Sequence, residues 1–348
     1  HRDLHSFPTR RSSDLKNYKT DIFTGMRVTS SMTIANLIGA IKPTLDVLEK
    51  ESSKRPMLFV ADLHSLTTNE PKDTQENVIS VLKDYIAAGL DPEKADLFIQ
   101  SQIVDEISKM TIYLSRLVTV SELLRIPTLK EKIRSGQSEM TVNGLLALYP
   151  VLMASDILLQ GSEYVPVGKD QYPHMEITCE IVRKFNKKYG DTLLEPKPLD
   201  QGEPVNILSL TGDGSKMSKT NPNGAIILSD DIDVSLKKVK RAKTAFAGEM
   251  NDDLDSLLKI AKYVSTEEEG REFDRLIEEH LEGKQVMGDF KNLLMSSLEK
   301  FLKDFQSKKK DISDDYVLEL VKKGGEKARS NAREVLKEVE EAMGMRFV

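Results

Sequence analysis

Two lysines placed three residues apart lie in a segment built mainly from small and polar residues. Lys216 and Lys219 fall within the sequence TGDGSKMSKTNPN, which spans residues 211–223. Because Gly, Ser, Asp and Asn favour turns over helices and strands, this segment is predicted to be a mobile loop. Two mobile ammonium groups beside small hydroxyl groups suit a polyphosphate, whose charge shifts during a reaction. The alternative is a solvated surface turn with incidental lysines, since a short motif is only a hypothesis.

A single carboxylate interrupts a long apolar segment of the chain. Asp156 lies between the apolar runs at residues 150–154 and 157–159. A carboxylate in such surroundings is costly unless it has a partner. Asp156 is therefore interpreted in two ways. It is either a structural residue, partly exposed or paired with a buried lysine, or the acceptor for an N–H or O–H group of a ligand in an apolar pocket.

A second polar cluster follows a predicted strand at residues 165–171, with the sequence VPVGKDQ. Gly168 allows the backbone to approach a ligand closely. Asp170 and Gln171 stand at a predicted helix N-terminus, where they can bind hydroxyl or amino groups. Ordinary N-capping of that helix by Asp170 is the competing interpretation.

The elements that would position these residues alternate between strands and helices. Strands are predicted at residues 21–25, 56–61, 95–100, 164–168 and 225–228, and helices at 33–48, 75–89 and 171–186. This alternation favours an α/β fold with a Rossmann-like, doubly wound parallel sheet. In such sheets the ligand lies beyond the carboxyl ends of the strands, at a topological switch point. Gly25 and Asp62 follow two of these ends.

The chain divides into two predicted domains. Residues 16–230 form the sheet domain, with a helical insertion near 103–145 that contains a basic loop at 129–136. Residues 231–348 are predicted to be mainly helical, and the last helix, about 325–345, is expected to pack back on the sheet domain. Residues 1–15 have no apolar period, and the last eleven of them match one reading frame of a sequencing adapter. We interpret that stretch as non-native sequence.

Composition, net charge and cysteine count limit the classes of protein to which the chain can belong. The 348 residues are 39% hydrophobic and 30% charged, which is typical of a soluble globular protein. The net charge of −6 argues against broad, non-specific binding to nucleic acid but leaves room for a local basic patch. Cys179 is the only cysteine, so no intrachain disulfide can form, and a reducing compartment, the cytoplasm, is expected. No apolar run reaches the roughly 18 residues needed to span a bilayer, and no His/Cys cluster has zinc spacing.

Taken in order, the motifs resemble the class I aminoacyl-tRNA synthetases, and among them the bacterial tryptophanyl-tRNA synthetase family. The resemblance covers nearly all of residues 20–348, and the ordered set of motifs is far more specific than any one of them. The motifs that carry it are FTG at 23–25, NLIGA at 36–40, ADLHSLTT at 61–68, QSQ at 100–102, YPVLMASDIL at 149–158, VPVGKDQ at 165–171 and KMSKT at 216–220.

The resemblance implies an activity, ligands and partners. It implies that ATP with Mg²⁺ activates L-tryptophan to tryptophanyl-adenylate, with release of pyrophosphate, and that the tryptophanyl group is then transferred to the 3′ end of tRNA(Trp). It further implies an ATP-binding sheet domain, a helical anticodon-binding domain at 231–348 and a homodimer without membrane association. Most of this chemistry is positioning and charge stabilisation.

The same resemblance assigns roles to individual residues, with no protein ligand for a metal. Lys216 and Lys219 would stabilise the charge that moves onto pyrophosphate, and Lys130 and Lys132 would belong to a second basic loop that closes over ATP. Asp156 would accept the indole N–H of tryptophan. The remaining tryptophan-binding positions are Met153, Tyr149, Gln171 and Phe23. The ATP-binding positions are Gly25, Arg27, Thr29, Thr33, Ala35, Asn36, Gly168, Asp170, Met217 and Ser218.

The first nucleotide motif departs from the family pattern. Thr33 stands where the family has histidine and Ala35 where it has glycine, while Arg27 replaces a glutamine and Lys169 an acidic residue. A threonine hydroxyl still hydrogen-bonds a phosphate oxygen, but without a positive charge. Three hypotheses follow: a divergent active synthetase, a non-catalytic paralogue that binds tryptophan or tRNA as a sensor, and a tyrosine-specific synthetase. The intact lysine loop favours an enzyme.

Overall fold

A computed structural model describes residues 18–29, 31–51, 55–67, 70–134, 143–201 and 205–346. Within them, five parallel strands form one sheet in the order β3-β2-β1-β4-β5. The strands are β1 Thr20–Met26, β2 Met57–Val60, β3 Asp96–Ile99, β4 Ser162–Val167 and β5 Lys197–Asp200. The chain runs from β1 outward to β3 and then returns to the other side of β1 at β4, so the strand order reverses between β1 and β4. The predicted doubly wound parallel sheet is confirmed.

Helices make up most of the remaining regular structure of the described chain. After β5, the named elements are helices and one short 3₁₀ turn at Pro222–Gly224. The α-helices are α1 Ile34–Asn36, α2 Lys42–Glu51, α3 Asp62–Ser65, α4 Pro71–Ala87, α5 Val104–Ser115, α6 Val120–Leu123, α7 Pro127–Arg134, α8 Gly144–Leu159, α9 Tyr172–Tyr189, α10 Ile232–Arg241, α11 Asp252–Val264, α12 Glu267–Leu281, α13 Met287–Asp311 and α14 Asp314–Met343.

Prediction and structure differ at three elements. The basic stretch at 129–136, predicted to be a loop, is helical in α7 as far as Arg134. Residues 225–228, predicted to be a strand, form only an isolated antiparallel bridge between Ile227 and Thr33, because no neighbouring strand continues the pairing. The edge strand β5 was not predicted, since its sequence, KPLD, has neither an apolar run nor β-branched residues.

The helix that follows β1 contains a π-helical turn at Leu37–Ile41, between α1 and α2. Pro43 lies just after it. A proline has no N–H to donate to the carbonyl four residues earlier, here that of Gly39, and its ring would clash with that carbonyl. The wider turn, closed by the Lys42 N–H donating to the Leu37 carbonyl, relieves this conflict. Single π turns recur at functional sites, and this one directly follows the altered nucleotide motif.

One face of the sheet is aromatic. The rings of Phe23, Phe59 and Phe98, from three neighbouring strands, stack on one another with centroid separations of 4.8 to 6.3 Å. They belong to the same buried cluster as Leu152 and Ile157 of α8. Cross-strand aromatic pairs of this kind stabilise a sheet beyond the area they bury. The helix α8, which carries Asp156, therefore packs in the same cluster as these rings.

The long C-terminal helix α14 packs directly on the backbone of β3. A Cβ atom added at Gly324 would lie 2.0 Å from the Leu97 carbonyl oxygen, and one at Gly325 would lie 2.7 Å from Oε1 of Gln102. Asn331 donates to Oε1 of Gln160 at 3.2 Å, and Arg333 pairs with the buried Glu106 at 2.9 Å. The helix therefore covers an edge of the sheet, which protects it from pairing with another chain.

Gly324→Ala is expected to lower the free energy of unfolding by about 3 kcal/mol, since the methyl group would meet fixed backbone atoms of β3. Gly288→Ala is the matched control, because a Cβ at Gly288 in α13 meets nothing within 4 Å. That control is expected to be neutral or slightly stabilising. Chemical denaturation measures both, and equal stabilities for the two variants would contradict the close packing of α14 on β3.

A buried ion pair joins α4 to α13. Nζ of Lys309 lies 2.5 Å from Oδ1 of Asp84 and donates to Oγ of Ser80 at 3.0 Å. Burial raises the pKa of Asp84, and Lys309 opposes that rise. A raised folded-state pKa means that the folded protein binds the proton more readily than the unfolded chain. The stability contributed by Asp84 is thus greatest below its ordinary value of 3.8 and is lost as the pH rises above it.

Lys309→Met is expected to destabilise the fold by about 2 kcal/mol at pH 7, because it leaves the Asp84 carboxylate buried without its partner. The loss should shrink as the pH falls toward the raised pKa of Asp84, where the carboxyl becomes protonated. Lys308→Met, which removes an exposed pair with Asp304, should change stability by less than about 0.5 kcal/mol. Urea unfolding at several pH values checks this, and a pH-independent loss would contradict it.

Candidate functional site

The predicted nucleotide-side residues lie beyond the carboxyl ends of β1 and β4, the two strands that flank the switch point. Gly25 is near the end of β1, and Arg27 and Thr29 follow it. Gly168 follows β4 and begins a 3₁₀ turn that contains Asp170 and Gln171. Because β1 and β4 pair in parallel, their ends open on the same edge of the sheet. This is where an open α/β sheet binds its ligand.

Gly25 is required by close packing inside the site. A Cβ atom at this position would lie 2.8 Å from Cζ of the Phe59 ring. A side chain here would therefore push the ring out of its stack with Phe23. The resemblance places this glycine among the ATP-binding positions, and the structure shows that it makes room for a neighbouring aromatic ring.

Asp156 lies at the centre of a buried hydrogen-bond network and is 3% exposed. Its Oδ2 atom accepts from Nε2 of His64 at 2.9 Å and from Nε2 of Gln100 at 2.8 Å, and its Oδ1 atom accepts from the same Gln100 nitrogen at 2.9 Å. Burial raises the pKa of Asp156, while the bonds from His64 and Gln100 counteract the rise. Asp62 at the end of β2 adds a smaller like-charge repulsion. The partner is thus a histidine and an amide, not the buried lysine that the sequence left open.

The other predicted tryptophan-binding residues lie on α8, β1 and the turn before α9. Tyr149 is buried, and its hydroxyl shares a hydrogen bond of 2.6 Å with Nε2 of His174. Met153 is half-buried and packs against the buried cluster that contains the aromatic stack. Phe23 is a member of that stack and is 1% exposed. Gln171 is half-buried and donates to Oδ2 of Asp170 at 2.6 Å. α8 therefore presents Tyr149, Met153 and Asp156 at the four- and three-residue spacing of one helix face.

We call residues 207–219, which contain Lys216 and Lys219, the lysine hairpin. Leu208 and Lys216 form an antiparallel bridge, and the Met217 N–H donates to the Ile207 carbonyl at 2.9 Å. Met217 is 6% exposed and belongs to the same core cluster as Leu210. Its side chain anchors the hairpin.

The hairpin reaches the switch point through its second lysine. Lys216 and Lys219 are both exposed, and Nζ of Lys219 donates to Oγ1 of Thr29 at 3.2 Å. Thr29 stands in the loop after β1, beside the predicted ATP-binding residues. Residues from two separate predictions, one for the lysine loop and one for the loop after β1, thus lie in contact in the structure.

The altered nucleotide motif forms a helix N-terminus. Thr33 is the N-cap of α1, and its hydroxyl accepts from the Asn36 N–H at 3.2 Å and donates to Oδ1 of Asn36 at 2.9 Å. Thr33 is 1% exposed, whereas Asn36 is exposed and Ala35 is half-buried. The hydroxyl is engaged in capping. In this conformation Asn36, and not Thr33, is the polar side chain of the motif that faces solvent.

The second basic segment remains apart from this assembly. Lys130 is an exposed residue of α7, and none of its contacts joins it to the lysine hairpin within the described ranges. The side chain of Lys132 lies outside the described residues. The structure therefore brings together the residues of the switch point, α8 and the hairpin, but not this pair.

Three residues of the site were not assigned a role from sequence. Gln100 and His64 were noted only as parts of motifs, and His174 was not singled out. The sequence signal for Gln100 and His64 was their position at or just after the ends of predicted strands, where polar side chains converge. Nothing local in the sequence distinguishes His174, because its partner Tyr149 lies 25 residues away.

No helix in the described part of the chain is long and apolar enough to cross a membrane.

Comparison with known proteins gives matches over most of the chain. The family model for class I tRNA synthetases (W and Y) matches residues 15–303. The tryptophan–tRNA ligases of Helicobacter pylori and Caldanaerobacter subterraneus are each 34% identical, covering 94% and 93% of this chain and 99% and 98% of their own length. A crystal structure of tryptophanyl-tRNA synthetase from Campylobacter jejuni, complexed with ADP and tryptophan, superposes with a TM-score of 0.79 at 28% identity, covering 93% of this chain and 99% of that one. The Mycoplasma pneumoniae enzyme gives a TM-score of 0.78 at 29% identity.

Proposed function

The chain belongs to the class I tRNA synthetases of the tryptophan and tyrosine family, and on that premise we propose that it is a tryptophan–tRNA ligase. It activates L-tryptophan with ATP to form tryptophanyl-adenylate and then charges tRNA(Trp). The observation that carries the proposal is the buried Asp156 carboxylate, held by His64 and Gln100 on the face of α8 beside the β1–β4 switch point. Relatives named for this activity match over almost their full length.

The amino-acid pocket selects for a ligand that carries a hydrogen-bond donor on an aromatic ring. Asp156 accepts the indole N–H, while Tyr149, Met153, Phe23 and Gln171 border the ring and the amino-acid group. A pocket that contains a buried acceptor rejects ligands without the matching donor, because its own polar group would be left unpaired. Phenylalanine is rejected on this ground. Tyrosine, whose hydroxyl is also a donor, is the competitor that the experiment below must include.

ATP lies across the carboxyl ends of β1 and β4, with Mg²⁺ on its phosphates. Gly25, Arg27 and Thr29 approach it from one strand end, and Gly168 and Asp170 from the other. Asn36 lies at the start of α1, where Thr33 holds it by capping, and Ala35 packs beside it. Ser218 and the anchored Met217 place the hairpin against the phosphates, and Lys130 and Lys132 supply further positive charge. In this arrangement Arg27 compensates for the charge that histidine would supply at position 33.

The reaction proceeds in two displacement steps. A carboxylate oxygen of tryptophan attacks the α-phosphorus of ATP, and the bond to the β-phosphate oxygen breaks as pyrophosphate leaves. The ribose hydroxyl at the 3′ end of the tRNA then attacks the carbonyl carbon of the adenylate and releases AMP. Lys216 and Lys219 stabilise the charge that accumulates on the leaving pyrophosphate. The protein contributes mainly orientation and electrostatics.

The partners follow from the same proposal. The helical region from α10 to α14 binds the anticodon stem of tRNA(Trp), and its basic run at residues 237–243 contacts phosphates. A second copy of the chain covers apolar side chains at the edge of the helical insertion. Ile112 and Val120 are each 70% exposed there, and Val104, Leu145 and Leu148 are exposed nearby. Single apolar residues at a surface are ordinary, but a group of this kind favours an interface. The enzyme works in the cytoplasm.

Charging assays on tRNA transcripts test the proposal. Labelled tryptophan should be attached to tRNA(Trp) in the presence of ATP and Mg²⁺, and labelled tyrosine should not be attached to tRNA(Tyr). Binding of tryptophan without charging would instead support the non-catalytic sensor, for which the exposed Lys216 and Lys219 have no evident use. Charging with tyrosine would overturn the assigned specificity.

A further inference from the structure

We propose that Gln100 is a positioning residue for tryptophan selection, which fixes the Asp156 carboxylate and leaves its Oδ1 atom to accept the indole N–H; this inference rests on the proposed function. Gln100 follows β3 directly and is 0% exposed. A buried side-chain amide is costly unless its polar atoms are paired. The way in which this amide is paired carries the inference.

Both polar atoms of the Gln100 amide are paired. Nε2 donates to Oδ1 and Oδ2 of Asp156 at 2.9 and 2.8 Å, while Oε1 accepts from the N–H groups of Leu63 and His64 at 3.1 and 3.3 Å. A side-chain amide has two donor hydrogens and two acceptor lone pairs. The orientation of the amide is also fixed, because a flipped group would point its oxygen at a carboxylate and its hydrogens at two backbone N–H groups.

Gln100 also controls the second partner of Asp156. The His64 backbone N–H is held by Oε1 of Gln100, and the His64 imidazole donates to Oδ2 of Asp156 at 2.9 Å. The same turn is tied down by Asp62, whose Oδ1 accepts from the N–H groups of Leu63 and Ser101 at 3.0 Å each. One amide thus joins the ends of β2 and β3 to the carboxylate on α8.

The two oxygens of Asp156 differ in what they can still accept. Among the residues that the structure describes, Oδ2 receives two hydrogen bonds, from Gln100 and His64, whereas Oδ1 receives one, from Gln100. Each carboxylate oxygen has about two acceptor positions. The remaining acceptor position is therefore on Oδ1. Gln100 sets the rotation of the carboxylate and thereby the direction in which this position points.

The charged and titratable groups around Asp156 predict how variants respond to pH. His64 and Asp62 lie on the turn after β2, and Gln100 lies at the end of β3. Replacing Gln100 by methionine removes a donor from the ionised carboxylate, so ionisation of Asp156 is shifted to higher pH. Replacing it by glutamate places two carboxyl groups together, and these repel each other when both are ionised.

Gln100→Met and Gln100→Glu should be compared with wild type in tryptophan-dependent exchange of pyrophosphate into ATP. We expect Gln100→Met to lower kcat/KM for tryptophan by about 10- to 100-fold, with KM for ATP unchanged. Its activity should rise with pH more steeply than that of wild type. The activity of Gln100→Glu should instead fall as the pH rises. Opposite pH trends are not expected if Gln100 merely stabilises the fold.

A tryptophan analogue in which sulfur replaces the indole N–H provides the second readout. If Gln100 acts through the Asp156–indole bond, the preference for tryptophan over β-(3-benzothienyl)alanine should fall by about tenfold or more in Gln100→Met. Gln306→Met is the matched control, since Gln306 donates to the carbonyls of Leu228 and Asp230 far from Asp156 in sequence. It should leave that preference unchanged.

The outcomes separate the two proposals. An unchanged preference and unchanged kcat/KM in folded Gln100→Met would overturn the role of Gln100 while leaving the ligase activity of the wild type intact. Absence of tryptophan-dependent exchange in the wild type would overturn the proposed function itself. If Gln100→Met does not fold, the pH trend and analogue preference of Gln100→Glu decide the matter in the same way.

Discussion

Asp156→Ala is expected to lower kcat/KM for tryptophan in pyrophosphate exchange by about 1000-fold and to leave ATP binding within about twofold of wild type. The variant removes the acceptor for the ligand and also strands the donor groups of His64 and Gln100 in a buried pocket. A pocket built around a required hydrogen bond loses discrimination by several orders of magnitude when that bond is lost. The nucleotide residues lie at other elements, on the ends of β1 and β4, so their contacts remain.

The same substitution should cost about 1–3 kcal/mol of stability through the unpaired donors, so folding must be measured alongside activity. Asp274→Ala is a suitable control, because Asp274 forms an exposed pair with Lys262. It should change neither tryptophan use nor, within about 0.5 kcal/mol, stability. A folded Asp156→Ala protein with the tryptophan response of the wild type would refute the assigned role of the carboxylate.

Lys219→Met is expected to reduce kcat for pyrophosphate exchange by about 100- to 1000-fold while changing KM for tryptophan little. Removing one preorganised charge or donor that acts on the transition state typically costs this much. Methionine keeps the length of the side chain but removes the ammonium group, which lies 3.2 Å from Oγ1 of Thr29 at the edge of the switch point. A change in kcat and not in KM identifies an interaction made in the transition state.

Lys262→Met serves as the control for Lys219→Met, since it removes an exposed lysine of the helical region that pairs with the exposed Asp274. It should behave as wild type in steady-state kinetics. Should Lys219→Met retain full kcat, the lysine hairpin would be a surface turn, as the alternative interpretation of the sequence held. Equal losses in the two variants would indicate a general effect of surface charge.

The sheet was predictable from sequence because its strands are short apolar runs separated by helical periodicity. The predicted ranges 21–25, 56–61, 95–100 and 164–168 each overlap an observed strand, and the parallel, doubly wound arrangement is confirmed. The edge strand β5 escaped prediction because an exposed strand needs no apolar pattern. The π turn at Leu37–Ile41 was not predictable in detail, since it reflects how one chain resolves the conflict created by Pro43.

The site was predictable where a residue type is costly in its local sequence, and not where partners come from distant elements. Asp156 stood out because a carboxylate among apolar residues needs a partner, but its partners, His64 and Gln100, lie 92 and 56 residues away. Thr33 was expected to face a phosphate, yet its hydroxyl caps α1 through Asn36. The residue assignments for ATP and tryptophan therefore stay predictions, supported by the convergence of Thr29, Lys219, Gly168 and Asp156 on adjoining elements.

The most direct test of tryptophan activation is exchange of labelled pyrophosphate into ATP by the full chain, with each of the twenty amino acids supplied separately. Exchange that depends on tryptophan alone is the predicted result. It would show that the altered Thr33–Asn36 motif still supports catalysis and that the Asp156 pocket selects indole. Exchange supported by tyrosine, or no exchange with any amino acid despite measurable tryptophan binding, would contradict the account.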